Sequence, residues 1–183
     1  MGLLICVAVG ALRVGWATGG GIDRLALVPL GGWRWVIAAI ISFVLGAALS
    51  NLGGRAGTVA AVTGAVVAAS CLLALLVRNR AVEGVPLLAA GMLLNAVVIG
   101  ANGAMPVSLY AESRAGIASN SYFDANDATH EIAGAQTRLP ALGDVVPVPL
   151  PVHPETVSAG DILIVSGVGL LIVAGMHRRE DVD

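Results

Sequence analysis

Five long apolar stretches dominate the chain, and joints rich in glycine and arginine separate them. A helix needs about 20 apolar residues to cross the ~30 Å hydrocarbon core of a bilayer. The stretches therefore predict about five transmembrane helices, and the first and last are short for a full span. The predicted helices cover residues 1–16, 33–52, 57–77, 81–102 and 161–176.

Residues 103–160 form a long polar segment between the fourth and fifth predicted helices. Loops of such length are usually either functional or disordered. Residues 119–129, rich in asparagine and aspartate, predict an irregular loop, whereas the prolines of residues 145–152 permit only an extended or edge segment. We predict an all-α polytopic membrane protein with about five transmembrane helices and one long extracytoplasmic loop containing little regular structure. Its parts are residues 1–102, 103–160 and 161–183.

The composition favours the membrane class over a soluble domain. Hydrophobic residues make up 57% of the chain and charged residues 12%, whereas a soluble domain carries about 25% charged residues. A single core could not bury so much apolar surface. The net charge of −2 argues against nucleic acid as a partner, since nucleic-acid binding needs a clustered basic surface.

The arginines predict the orientation of the chain. Seven of them fall on one side of the predicted helices: Arg13, Arg24, Arg34, Arg78, Arg80, Arg178 and Arg179. Cytoplasmic loops carry the excess of positive charge. The chain is therefore predicted to have its N-terminus outside and its C-terminus in the cytoplasm, and this places residues 103–160 on the outer face.

Polar residues near the outer ends of the helices are candidates for a binding pocket. Asn95 and Asn102 lie seven positions apart on one face of the fourth helix. An interhelical hydrogen bond is the structural alternative for Asn95, and a helix N-cap is the alternative for Asp161. The candidate binding residues are Asn95, Asn102, Met105, Pro106, His130, Asp144 and Asp161.

The sequence offers little catalytic or metal-binding chemistry. A histidine and carboxylates in the outer segment could bind zinc or exchange protons. However, the chain contains neither the His-Glu-x-x-His spacing of a zinc protease nor the Gly-x-Ser-x-Gly of a serine hydrolase. We therefore assign no catalytic residue, metal ligand or cofactor. Small residues on the predicted helices, such as Gly46, Gly64 and Gly167, favour close helix packing.

Three short motifs carry a resemblance to a known family. They are Asn102-Gly103-Ala104-Met105-Pro106, Leu142-Gly143-Asp144 and Gly160-Asp161. With its short first helix, the chain resembles an uncharacterised bacterial integral-membrane family known only as a domain of unknown function. The resemblance implies a multi-pass protein of the bacterial cytoplasmic membrane whose outer segment holds the site, and it implies no particular activity.

Three functional hypotheses remain open from the sequence. The first is a non-enzymatic accessory, assembly or sensory unit whose outer loop meets a membrane-protein partner or membrane lipids. The alternative is a membrane enzyme or binding protein for a small or lipid-linked substrate at the outer interface. The third, a transporter subunit, is disfavoured because the predicted spans carry no central charge and no inverted repeat.

Overall fold

A computed structural model of the protein describes residues 2–50, 53–117 and 130–178. The predicted irregular loop at 119–129, the predicted end of the second helix and Arg179 lie outside these residues. The described part is mostly helical. Its main helices are α1 (Gly2–Ala17), α2 (Trp33–Ser50), α3 (Gly54–Arg78), α4 (Val85–Asn102), α5 (Leu109–Ala115) and α6 (Ala159–Met176). Two short 3-10 helices lie at Asp23–Leu27 and Pro140–Leu142.

The chain divides into two compact units, which are described separately. One unit, Val28–Val82, is the hairpin of α2 and α3. Its helices approach closely at two glycines, because a Cβ on Gly64 would lie 2.7 Å from the Gly46 Cα. The predicted role of these two residues in close helix packing is therefore confirmed. At the C-terminal end of α3, the Asn79 amide donates to the Gly31 carbonyl oxygen at 2.9 Å and accepts from the Gly31 N–H at 2.8 Å. These two hydrogen bonds join the end of α3 to the segment that precedes α2.

Helix α4 begins at Val85, four residues later than the sequence predicts. Asn79 is the C-cap of α3, so the chain turns before it becomes helical again. Gly84 then takes a left-handed backbone with φ of 88°, which costs glycine little because it has no Cβ. Pro86 lies in the first turn of α4, where its missing N–H removes no helical hydrogen bond.

The other unit, Met1–Leu27 with Glu83–Asp183, is built on α1, α4 and α6. Helices α4 and α6 are antiparallel, since Gly91 contacts Gly160 near one end of the pair and Gly84 contacts Gly167 further along. Helix α1 packs beside α6. Among the described helices, Val85–Asn102 and Ala159–Met176 are long and apolar enough to cross a membrane.

Residues 103–160, which the sequence places on the outer face, are called the outer segment. Their described part contains more regular structure than the sequence predicts, and its strands correct the all-α expectation. Its strands are β1 (Met105–Val107), β2 (His130–Ile132), β3 (Val146–Val148) and β4 (Glu155–Val157). Strands β1 and β2 are parallel, and β3 and β4 are antiparallel. Three-residue strands leave no measurable alternation in a sequence, so their pairing is visible only in the folded chain. As predicted, the proline-rich stretch is extended, with Pro147 inside a strand that has a single neighbour.

Candidate functional site

Ser158 and Asp161 cap the first turn of α6 and form the base of the candidate site. The Asp161 N–H donates to Ser158 Oγ at 2.9 Å, and the Ser158 N–H donates to Asp161 Oδ2 at 3.0 Å. This reciprocal pair is a capping box. Asp161 therefore takes part in capping, as predicted, but the N-cap itself is Ser158 and Asp161 is the third residue of the helix. Because the serine occupies the N-cap, α6 starts at Ala159, two residues before its predicted start.

Asn95 connects this capping box to α4. Its amide nitrogen donates to Asp161 Oδ1 at 2.8 Å, and its amide oxygen accepts from Ser158 Oγ at 2.9 Å. The predicted interhelical hydrogen bond of Asn95 is therefore confirmed. Gly160 faces the same amide so closely that a Cβ there would collide with the Asn95 oxygen. Asn95, Ser158 and Asp161 thus form one hydrogen-bonded network.

The outer segment brings Asp144 and His130 together. The Asp144 N–H donates to the Pro106 carbonyl oxygen at 2.8 Å, which fixes Asp144 beside β1. On the same strand, Met105 lies opposite His130 of β2. His130 Nε2 lies 4.0 Å from Asp144 Oδ2. Burial raises the pKa of Asp144 to about 7, and the nearby Asp161 charge raises it as well, whereas His130 opposes the shift.

Glu155 joins the site to the start of α1. Its carboxylate accepts hydrogen bonds from the backbone N–H groups of Gly2 and Leu3. A carboxylate at a helix N-terminus is favourable because it satisfies free N–H groups and interacts with the helix dipole. Burial raises the pKa of Glu155, but the positively charged N-terminus and these two hydrogen bonds together outweigh burial, so the pKa lies below its ordinary value.

Several buried oxygens of the outer segment lack a hydrogen-bond partner among the described residues. They are Asp144 Oδ1, Thr156 Oγ1 and both carboxylate oxygens of Glu112. Glu112, on α5, is only 1% exposed. Burial raises the pKa of Glu112, although His130 acts in the opposite direction. A buried acceptor without a partner is costly, by about 1–3 kcal/mol, so such groups need an explanation.

A cavity of about 420 Å³ lies where these elements meet. Its lining combines His130 and three acidic residues with aliphatic side chains. Its lining residues are Leu3, Leu4, His130, Asp144, Glu155, Thr156, Val157, Asp161, Ile164 and Val165. The volume falls within the range of small-molecule sites, about 300–1,000 Å³. In the described part of the chain, His, Cys, Asp and Glu form no group of three that could hold a metal ion.

The sequence-predicted site residues take three different positions. His130, Asp144 and Asp161 line the cavity, and Asn95 binds Asp161 beneath it. Asn102 binds the loop instead, because its amide donates to the Arg138 carbonyl oxygen at 2.9 Å and accepts from the Arg138 N–H at 2.7 Å. As part of β1, Met105 and Pro106 are buried and lie outside the described cavity lining.

Sequence reasoning missed Glu112, Glu155 and Thr156. Glu112 is three residues into a short helix whose N-cap, Ser108, is a recognisable start signal, yet nothing local indicates that its side chain is buried. Glu155 binds the start of α1, where its partner Gly2 lies 153 residues away in the sequence. The partners of Glu155 lie in a distant part of the chain, and the burial of Glu112 results from packing of the whole unit, so neither spacing nor periodicity identifies these acids.

Comparison with known proteins places the chain in a family. A family model described as "Family of unknown function (DUF5317)" matches residues 31–173. That range includes Asn95, Asp144 and Asp161 but not α1. No curated protein and no solved structure matches the chain. The match covers most of the sequence and agrees with the predicted resemblance to a domain of unknown function. The chain belongs to the family of unknown function DUF5317.

Proposed function

We propose that this chain is a multi-pass integral membrane protein of the cytoplasmic membrane. Its cavity lies at the outer face of that membrane and binds a small organic cation. The observation that carries the proposal is a cavity lined by three acidic residues, Asp144, Glu155 and Asp161. A ligand that donates hydrogen bonds and carries positive charge would complement these carboxyl groups.

The membrane part of the proposal rests on exposed apolar side chains and on helix direction. In α2, large apolar residues face outward along most of the helix: Ile37, Ile40, Ile41, Phe43, Val44 and Leu45. Apolar surface on this scale marks a partner or a membrane. In the other unit, α4 runs antiparallel to α6, so residues 103–158 leave and return at the same end. That arrangement supports a single outer segment between α4 and α6.

The orientation has a direct test. A green fluorescent protein fused to the C-terminus is expected to fluoresce, and alkaline phosphatase fused there is expected to be inactive, because the C-terminus is predicted to be cytoplasmic. Insertion of the same two reporters after Ala135, an exposed position of the outer segment, is the matched control and should give the reverse pattern. An active C-terminal phosphatase would overturn the proposed orientation.

The charges around the cavity favour a cation over an anion. Of the three lining acids, Asp161 is already held by Asn95 and Ser158, and Glu155 is held by the start of α1. Asp144 therefore retains most capacity to bind a ligand. An anion in the same position would be repelled by the Glu155 and Asp161 carboxylates and, above about pH 7, by Asp144 as well. His130 Nε2 lies 4.0 Å from Asp144 Oδ2, so a ligand would share this carboxyl group with the imidazole.

This proposal develops the ligand-binding alternative among the three sequence-based hypotheses. It remains compatible with a non-enzymatic sensory unit, since a ligand would bridge the outer segment to α1 and α6. Asp144 belongs to the outer segment, whereas Asp161 belongs to α6 and Leu3 to α1. Filling the cavity would therefore stabilise one arrangement of these elements, in the manner of any ligand that binds only the folded state.

The binding prediction uses n-butylammonium as the probe and the full chain in lipid nanodiscs. At about pH 8, where Asp144 is ionised, calorimetry is expected to detect binding of n-butylammonium but not of n-butanol. Affinity should fall at least about tenfold in Asp144→Asn, because a hydrogen bond to a charged group contributes about 1.5–3 kcal/mol. It should also weaken at about pH 6, since the pKa of Asp144 is about 7.

The control for this experiment is Asp23→Asn, which removes one exposed carboxylate from the same unit outside the cavity lining. It is expected to bind the probe as the wild type does. Equal binding of n-butanol and n-butylammonium, or equal affinities of the wild type and Asp144→Asn, would contradict a charge-recognising site.

A further inference from the structure

Glu112 is the most deeply buried carboxylic acid among the described residues. Its side chain is only 1% exposed, and neither of its carboxylate oxygens has a hydrogen-bond partner in the described part of the chain. Glu112 also lies outside the described cavity lining, so the proposed cation site does not use it. A buried acid of this kind needs a separate explanation.

The helix that carries Glu112 buries only a small face. Helix α5 packs against β3 and β4, and its buried residues are Ala111, Glu112 and Ala115. Ile117, which follows the C-cap, is buried as well. Apolar area drives such docking, and two alanine methyl groups and one isoleucine supply little of it. The carboxyl group at the centre of the face therefore has a large influence on whether α5 docks.

An ionised Glu112 would be a buried charge without compensation. Removing a carboxylate from water costs far more than the burial of a methyl group contributes, and no described hydrogen bond offsets that cost. A protonated carboxyl group avoids most of it. Accordingly, burial raises the pKa of Glu112, although His130 opposes the shift. The docked position of α5 therefore favours the protonated acid.

The titratable groups around Glu112 offer little to neutralise its charge. Strand β3 carries none, and β4 carries only Glu155, whose carboxylate binds the start of α1. His130 of β2 acts on Glu112 without a hydrogen bond to its carboxylate oxygens. Arg114 is exposed, and side chains two positions apart do not face each other on a helix. Residues 118–129, which follow α5, contain no lysine, arginine or histidine.

We propose that Glu112 is a pH-sensitive latch for α5: the helix stays docked on β3 and β4 while the carboxyl group is protonated and is released when it ionises. Since the docked-state pKa lies above the ordinary value of 4.5, docking is fully stable below that value. It weakens as the pH rises through the docked-state pKa. Release would uncover β4, whose three residues are all buried. The pH on the side of the outer segment would thus control the exposure of this strand.

Hydrogen–deuterium exchange of the full chain in lipid nanodiscs measures the release. The N–H groups of Glu112, Gly116 and Ile117 donate to carbonyl oxygens of α5 or its N-cap. At each pH their exchange is divided by that of the unfolded chain. Protection of α5 is expected to fall at least about tenfold between about pH 5 and about pH 9, because each unit of raised pKa changes the docking equilibrium tenfold.

Three variants test whether the charge of Glu112 causes the release. Glu112→Gln keeps the size of the side chain and removes its charge, so α5 should stay protected at both pH values. Arg114→Gln is the matched control, since it removes a charge from an exposed position of the same helix. It should lose protection as the wild type does. If Glu112→Gln fails to fold, Glu112→Met, which is also uncharged, should show protection that is independent of pH.

Asp144→Asn separates the latch from the titration of Asp144. The Asp144 carbonyl oxygen accepts a hydrogen bond from the Ser108 N–H at the start of α5, so ionisation of Asp144 could loosen the same helix. Loss of α5 protection that persists in Asp144→Asn supports the latch at Glu112. The latch is overturned if this loss disappears in Asp144→Asn, if Glu112→Gln loses protection as the wild type does, or if protection of the wild type does not change with pH.

Discussion

The ligand-free protein is expected to become less stable as the pH rises from about 4 to about 7, and Asp144→Asn is expected to remove most of that dependence. Asp144 has an ordinary pKa of 3.8 and a folded-state pKa of about 7. One pKa unit corresponds to about 1.36 kcal/mol, so the expected loss in the free energy of unfolding is at most about 4 kcal/mol. This change is large for a single carboxyl group.

The sign follows from where the proton is bound. Below about pH 4 the carboxyl is neutral in both the folded and the unfolded chain, so its contribution to stability is fully present. Between the two pKa values the folded chain holds a proton that the unfolded chain has released, and stability falls as the pH rises. Glu112 adds a dependence of the same sign because burial raises its pKa. Glu155, with its lowered pKa, opposes both.

Thermal unfolding in one detergent across this pH range measures the effect. For a chain of this length, 1 kcal/mol shifts Tm by about 2–4 °C, so the wild type should lose about 10 °C and Asp144→Asn clearly less. The Asp23→Asn control should follow the wild type, since Asp23 is exposed. Parallel curves for the wild type and Asp144→Asn would show that Asp144 is not buried as described.

Gly91→Leu is expected to disrupt the contact between α4 and α6, whereas Gly100→Leu on the same helix is expected to be tolerated. A Cβ at Gly91 would lie 2.8 Å from Ile164 Cγ1 and 2.9 Å from the Ile164 N, and it would also collide with the Gly160 carbonyl oxygen. Two of these neighbours are backbone atoms, which cannot rotate away. A Cβ at Gly100 meets no described atom within 4 Å.

The expected cost for Gly91→Leu is at least the 1–3 kcal/mol typical of overpacking, and Gly100→Leu should change stability by less than about 0.5 kcal/mol. Because Asn95 lies one helical turn from Gly91, separation of the helices should also break its hydrogen bonds to α6. Gly91→Leu should therefore lower both Tm and binding of n-butylammonium. Equal Tm values for the two leucine variants would mean that α4 and α6 are not packed through Gly91.

Local signals in the sequence indicated much of the helical part of the fold. Asn102 ends α4, and Gly103 follows with a left-handed φ of 94°, as expected of an Asn-Gly pair at a helix end. Ser158 and Asp161 cap α6 within four consecutive residues. These features depend on neighbouring residues or on one helical turn. The two largest discrepancies are the late start of α4, which depends on backbone geometry, and the strands of the outer segment, which depend on distant pairing.

The candidate site was only partly predictable. The spacing from Asn102 on one helix face indicated Asn95, the position before a predicted helix indicated Asp161, and the Leu-Gly-Asp motif indicated Asp144. Their contacts could not be read in the same way, because Asn95 and Asp161 lie 66 positions apart. Asn102 has the same residue type and the same helix face as Asn95, yet it binds the backbone of Arg138. Residue type and periodicity alone do not distinguish these two outcomes.

By itself, the sequence determined the apolar character of the helices, most of their ends and the polar nature of the segment before α6, because these properties follow from composition and from contacts within a few residues. Only the tertiary structure decided which polar groups share a cavity. The pairing of β1 with β2 and with Asp144 brings His130 and Asp144 close together. A hydrogen bond joins Leu3 to Glu155, which lie 152 residues apart in the sequence. Such long-range contacts follow from packing of the whole unit, and no short stretch of sequence encodes them.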